Sequence, residues 1–123
     1  FKHVNDTYGH ACGDSVLKAV AEVFKASVRS GDIVCRWGGE EILVMLPQCN
    51  KDTATHIAER IADGIRQILI ISPGGIEVNV TMTFGVAGSD EGEDIKDIIK
   101  WADNRLYYGK GHGKNCVIKE DIQ

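Results

Sequence analysis

Gly38, Gly39, Glu40 and Glu41 stand in a row between two short apolar runs. Glycines without Cβ atoms let a triphosphate come close to the main chain. Adjacent carboxylates offer hard oxygens to Mg²⁺, an ion that shares its shell with phosphates. The same four residues also suit a plain hairpin with a solvated acidic edge, and alone they favour that reading. Other polar clusters surround them. Asn5, Asp6, Gly9, His10, Gly13 and Asp14 come earlier, and Lys110, Gly111, His112, Gly113, Lys114 and Asn115 come near the end. Taken singly, Asp14 suits a helix N-cap, Asn5-Asp6 a turn, and the two lysines a solvated loop. A P-loop is excluded, because Gly109-x-x-x-Gly113-Lys114 is one residue short and lacks the following Ser or Thr.

These residues need elements to hold them. A helix is predicted from Gly13-Asp14 onward, with Val16, Leu17, Val20, Ala21, Phe24 and Val28 recurring at three- and four-residue steps. Ser30-Gly31-Asp32 stops it. Residues 33–37 and 42–46 read as strands joined at Gly38-Gly39. A second helix carries Ala54, Ile57, Ala58, Ile61, Ala62, Ile65 and Ile68 or Leu69 inward. After the Ser72-Pro73-Gly74-Gly75 turn, strict alternation over residues 76–86 predicts one strand with one buried face. A third helix rests on Ile95, Ile98, Ile99, Ala102 and Leu106 and ends at Gly109, and residues 115–118 form a last strand. The order is helix, strand, strand, helix, strand, helix, strand. A ferredoxin-type split β-α-β sheet needs one more strand ahead of the first helix.

At 123 residues, 43% apolar and 26% charged, the chain suits one soluble globular domain. A net charge of −4 gives no field for duplex nucleic acid, so an anionic ligand must be held by a few local cations. No run approaches a membrane span. Cys12, Cys35, Cys49 and Cys116 are scattered away from His3, His10, His56 and His112, which argues against zinc. They read as reduced packing thiols of a cytoplasmic protein.

The ordered clusters together resemble the GGDEF family of diguanylate cyclase catalytic domains. The matching stretches are F-K-x-x-N-D-x-x-G-H-x-x-G-D at residues 1–14, R-[YW]-G-G-E-E at 36–41 and K-x-x-G-[RK]-N at 110–115. The resemblance covers essentially the whole chain, in order and in spacing. It implies an α/β (α+β) domain of ferredoxin-like, nucleotidyl-cyclase type. A central, mostly antiparallel sheet would be flanked by helices, and its first strand would lie ahead of Phe1. That strand carries the family's first metal-binding Asp. The chain opens on Phe1 without a start Met and is expected to be a fragment lacking that strand, weak or inactive by itself.

The resemblance also assigns roles. Asn5 and Asp14 would bind guanine, since a carboxylate accepts from the paired N1–H and N2–H donors that adenine lacks. His10 would face the ribose. Lys2, Lys110 and Lys114, with Gly38 and Gly39, would hold phosphates. Arg usually stands where Lys114 does, and Lys keeps the charge without the fork. Glu40 and Glu41 would be the catalytic pair and ligate two Mg²⁺ (or Mn²⁺) per site. Ile42 replaces the usual Phe, a core exchange that implies repacking. Arg29 and Asp32, with Arg60, match an R-x-x-D inhibitory product site, although four such residues alone would normally be a helix-ending salt bridge.

The implied enzyme condenses two GTP into cyclic di-GMP and two pyrophosphates, and cyclic di-GMP feeds back on it. Each domain holds one GTP, so a homodimer is needed, normally driven by an N-terminal sensory domain. Neither duplex nucleic acid nor direct membrane contact is expected of the domain itself. The alternatives are a catalytically weak module sensing cyclic di-GMP or GTP, and a purely structural ferredoxin-like domain. The last would leave the ordered motifs unexplained.

Overall fold

The computed structural model describes residues 9–38 and 41–120. In order these form α1 (His10–Ser27), β1 (Ile33–Gly38), β2 (Glu41–Met45), α2 (Lys51–Arg66), β3 (Ile70–Ile71), β4 (Glu77–Val78), β5 (Phe84–Gly85), a short 3-10 turn (Ser89–Glu91), α3 (Ile95–Gly111) and β6 (Val117–Ile118). The class is α+β, as the sequence implies. The chain divides into two compact units, Phe1–Pro47 with Gly64–Val80 and Gln48–Asp63 with Thr81–Gln123.

In the first unit α1 buries Cys12, Val16, Val20 and Phe24, spaced by one turn each. Such side chains contribute about 1.5–3 kcal/mol apiece by leaving water. The helix starts at His10 after Gly9, whose φ of 93° suits glycine, so it begins earlier than Gly13-Asp14 suggests. Asp14 therefore lies inside the helix and is not its N-cap. β1 and β2 form the predicted antiparallel hairpin, from Ile33 opposite Met45 to Gly38 opposite Glu41, with a bulge between Arg36 and Gly38. Ile65, Ile68 and Val78 complete the buried hydrophobic residues of this unit among those described. Leu69, offered as an alternative to Ile68, is exposed.

The predicted strand over 76–86 is not continuous. β4 pairs with β3, Ile70 opposite Val78, around the turn at Gly75. β5 pairs in parallel with β6, Phe84 opposite Val117. Alternation specifies which face is buried, but a ladder also needs a partner, and each partner here is two residues long. Among the described residues the pairings make three two-stranded sheets, two of them antiparallel.

In the second unit α2 buries Thr55, Ile57, Ala58, Ile61 and Ala62, and Asn50 caps its start by accepting from Thr53 N at 2.8 Å. Asp94 caps α3 in the same way, accepting from Asp97 N at 3.0 Å. Gly109 does not end α3, which continues to Gly111. Gly109 is buried, and a Cβ there would crowd Thr83, Ile118 and Cys116. Of the four free thiols only Cys12 is buried; Cys35 is exposed and Cys49 and Cys116 are half-buried. Among the described residues no helix is long and apolar enough to cross a membrane.

Candidate active site

α1 carries two of the expected nucleotide contacts. His10 and Asp14 are both exposed and lie four residues apart, one helical turn, so they share a face. The β1–β2 ladder brings Gly38 opposite Glu41, and Glu41 heads β2 half-buried. Gly39 and Glu40 fall outside the described residues, as do Lys2 and Asn5.

A cavity of about 370 Å³ opens in the first unit beside this hairpin. Leu17, Val20 and Phe24 of α1 give it an apolar wall, and Asp32, Arg36 and Glu41 give it charge. Its size is in the range of small-molecule pockets. Among the described residues no three His, Cys, Asp or Glu converge as a metal cluster. Glu41 supplies one hard oxygen donor here, of the type Mg²⁺ prefers.

Arg29 and Asp32 are brought together by the loop after α1. The Arg29 backbone N–H donates to Asp32 Oδ2 at 2.7 Å, and its Nη2 pairs with Oδ1 at 3.2 Å. The same Nη2 donates to the Pro47 carbonyl at 2.8 Å. The backbone bond first, and then the guanidinium, hold the Asp32 carboxyl below the usual carboxylate range. The helix-ending salt bridge is thus real, while the Arg29 side chain stays 51% exposed. Arg60 is exposed on α2, in the second unit.

Lys110 is exposed in the last turn of α3, and Lys114 is exposed in the loop beyond it. That loop is closely defined. His112 N and Lys114 N both donate to the Gly109 carbonyl, at 3.2 and 3.0 Å, and Asn115 N donates to Thr83 Oγ1 at 3.1 Å. Lys114 and Asn115 have φ of 57° and 49°, a conformation that non-glycine residues adopt at a cost of about 1–3 kcal/mol and that clusters at functional loops.

One polar group was not read from the sequence as part of any site. Arg105 is 4% exposed, yet it lies on the inward stripe with Ile98, Ala102 and Gly109. Its Nη1 donates to Glu91 Oε2 at 2.9 Å and its Nη2 to Oε1 at 2.6 Å, a forked pair. Nη1 also donates to the Val86 carbonyl at 2.8 Å. Glu91 further accepts from Gly88 N at 2.7 Å and from Lys51 Nζ at 3.3 Å. The Arg105 guanidinium above all holds the Glu91 carboxyl down, to about 2 from an ordinary 4.5. The sequence signal for this pair is a charged residue at an inward helical position, which demands a partner.

The diguanylate cyclase GGDEF domain family model matches residues 1–116. The diguanylate cyclase DgcM of Escherichia coli is 41% identical over 118 residues, 96% of this chain but 28% of that protein. The chain therefore spans little more than a quarter of that relative's length. The crystal structure of the GGDEF domain of DgcB from Caulobacter crescentus, in complex with c-di-GMP, aligns with a TM-score of 0.87 at 28% identity, over 96% of this chain and 70% of that one. The active GGEEF domain of a diguanylate cyclase from Vibrio cholerae aligns with a TM-score of 0.83, again at 28% identity, over 99% of this chain and 77% of that one.

Proposed function

We propose that this chain, which belongs to the diguanylate cyclase GGDEF domain family, is the catalytic part of an enzyme that condenses two GTP into cyclic di-GMP and two pyrophosphates. The observation that carries this reading is a family match running through an intact Gly38-Gly39-Glu40-Glu41. The hairpin register supports it, because Gly38 lies across from Glu41 at the head of β2.

Asp14, with Asn5, would accept from the guanine N1–H and N2–H. His10, one turn earlier on the same helix face, would sit toward the ribose. Lys2, Lys110 and Lys114 would pair with the phosphates, which Gly38 and Gly39 admit close to the backbone. Glu40 would take the proton of the attacking 3′-hydroxyl and, with Glu41, hold the divalent cations. The half-buried Glu41 carboxylate fits a hard cation, and substrate phosphates would complete the shell. A bound Mg²⁺ or Mn²⁺ pair would lower the hydroxyl pKa and neutralise the leaving pyrophosphate. Since each domain holds one GTP, two copies must face each other for in-line attack, and an N-terminal sensory domain would control that meeting.

Nucleotide choice tests the base site directly. Calorimetric titration should show GTP binding at least about 100-fold tighter than ATP, because a site built for two donors leaves its carboxylate unpaired against adenine. Equal affinity for the two nucleotides would overturn the guanine assignment.

Product feedback is the finer part of the proposal. Arg29 and Asp32, with Arg60, would bind cyclic di-GMP, a ligand found on the related DgcB domain. A second reading, a cyclic di-GMP sensor with little turnover, would use the same Arg29–Asp32 pair. Arg29→Ala should raise the product concentration giving half-inhibition by about tenfold or more, the scale of a lost charged contact. An unchanged inhibition curve would remove this site from the account.

A further inference from the structure

α3 carries an ionic clamp at Arg105, and the two lysines assigned above to phosphate lie in its last turn and in the loop beyond it. We infer that Arg105 and Glu91 are positioning residues that set where Lys110 and Lys114 meet the triphosphate, an inference that rests on the phosphate role of those lysines. Arg105 lies within the helix whose last turn bears Lys110. Its guanidinium fixes that helix at two points, the Val86 carbonyl just after β5 and the forked Glu91 carboxylate in the 3-10 turn. Glu91 is in turn tied to Lys51 at the start of α2 and to the backbone of Gly88.

A helix seated on apolar contacts alone can slide or turn slightly at low cost, since those contacts are not directional. A forked guanidinium–carboxylate pair is directional in both angle and distance. The rest of the path is stiff as well. Gly85 lets the α3 backbone at Ala102 and Leu106 lie directly on β5, and Gly109 does the same against Thr83, Ile118 and Cys116. Beyond the helix, Lys114 N is bonded back to Gly109 and Asn115 N to Thr83. A rotation of α3 released at Arg105 would therefore be carried to Lys110 and Lys114. The depressed Glu91 pKa keeps the carboxylate charged throughout the neutral range, so the clamp is a fixed device.

The test uses inorganic triphosphate and, separately, GTP, each with Mg²⁺ and the full protein. Glu91→Gln keeps the shape and removes the charge. It should weaken triphosphate and GTP binding by about tenfold, the scale for misplacing a contact group. In a background carrying Lys110→Ala and Lys114→Ala, the same change should add no more than about twofold, since coupled sites are non-additive. Circular dichroism checks that each variant is folded; should Glu91→Gln melt below the assay temperature, Arg105→Lys takes its place, keeping charge but losing the fork. Wild-type triphosphate affinity in a folded clamp variant would overturn the inference. So would an equal loss with and without the two lysines, which is the signature of a merely structural role. A wild type that binds no triphosphate also overturns it. A protein that shows the clamp effect on triphosphate but makes no cyclic di-GMP from GTP overturns only the cyclase reading.

Discussion

Glu40→Ala is expected to lower cyclic di-GMP synthesis by about 10³-fold, roughly 4 kcal/mol of transition-state stabilisation. A 3′-hydroxyl is a poor nucleophile until its proton is taken, and the leaving pyrophosphate carries charge that must be neutralised. An alanine side chain can neither accept a proton nor ligate a cation. Glu41, at the head of β2, is a single carboxylate and cannot take over both roles. Cyclic di-GMP binding at the proposed Arg29–Asp32 site should survive the change, and a binding titration beside the synthesis assay separates the two effects. A variant that keeps a tenth or more of the wild-type rate would show that Glu40 is not the essential acid.

Gly85→Ala is expected to cost at least about 3 kcal/mol of stability, above the usual range for overpacking. A Cβ at Gly85 would fall against the Ala102 carbonyl oxygen and 2.5 Å from the Leu106 backbone nitrogen. Both are helix backbone, which cannot rotate aside as a side chain can. β5 and α3 would have to part, and the Arg105 bond to the Val86 carbonyl, one residue along, would stretch with them. Gly111→Ala is the control: nothing lies within 4 Å of its added Cβ, so stability should stay within about 1 kcal/mol. Urea unfolding of the two variants reads the difference, and equal midpoints would refute the close approach at Gly85.

Two helices are legible from their long apolar stripes: Val16, Val20 and Phe24 in α1, and Ile57, Ile61 and Ile65 in α2, are buried as their spacing requires, whereas Ile95 of the stripe expected in α3 is exposed. The hairpin was legible from two apolar runs around a glycine pair. The small sheets were not. Residues 70–71 are too short to give a periodic signal, and alternation over 76–86 does not say where pairing partners run out. Gly109 looked like a stop because glycine commonly follows a helix, whereas here its missing side chain is what lets α3 pack.

The candidate site divides in the same way. Its motif residues could be found from residue type and order, and α1 sets His10 and Asp14 on one face. Arg29 and Asp32 are close in sequence, so their pairing could be anticipated. The Arg105–Glu91 clamp spans fourteen positions, and a stripe counted on aliphatic residues passes over an arginine. The inward position can be read from helical spacing, and the fold supplies the partner that meets it.

The most direct measurement is mass-spectrometric detection of cyclic di-GMP after incubating the full protein with GTP and Mg²⁺. It should be run at high protein concentration, because two domains must meet, and after stripping any bound product. Cyclic di-GMP and two pyrophosphates per product are expected, with a rate per domain that rises with protein concentration. No cyclic di-GMP from a folded, dimeric protein that still binds cyclic di-GMP would contradict the cyclase and leave the sensor in its place.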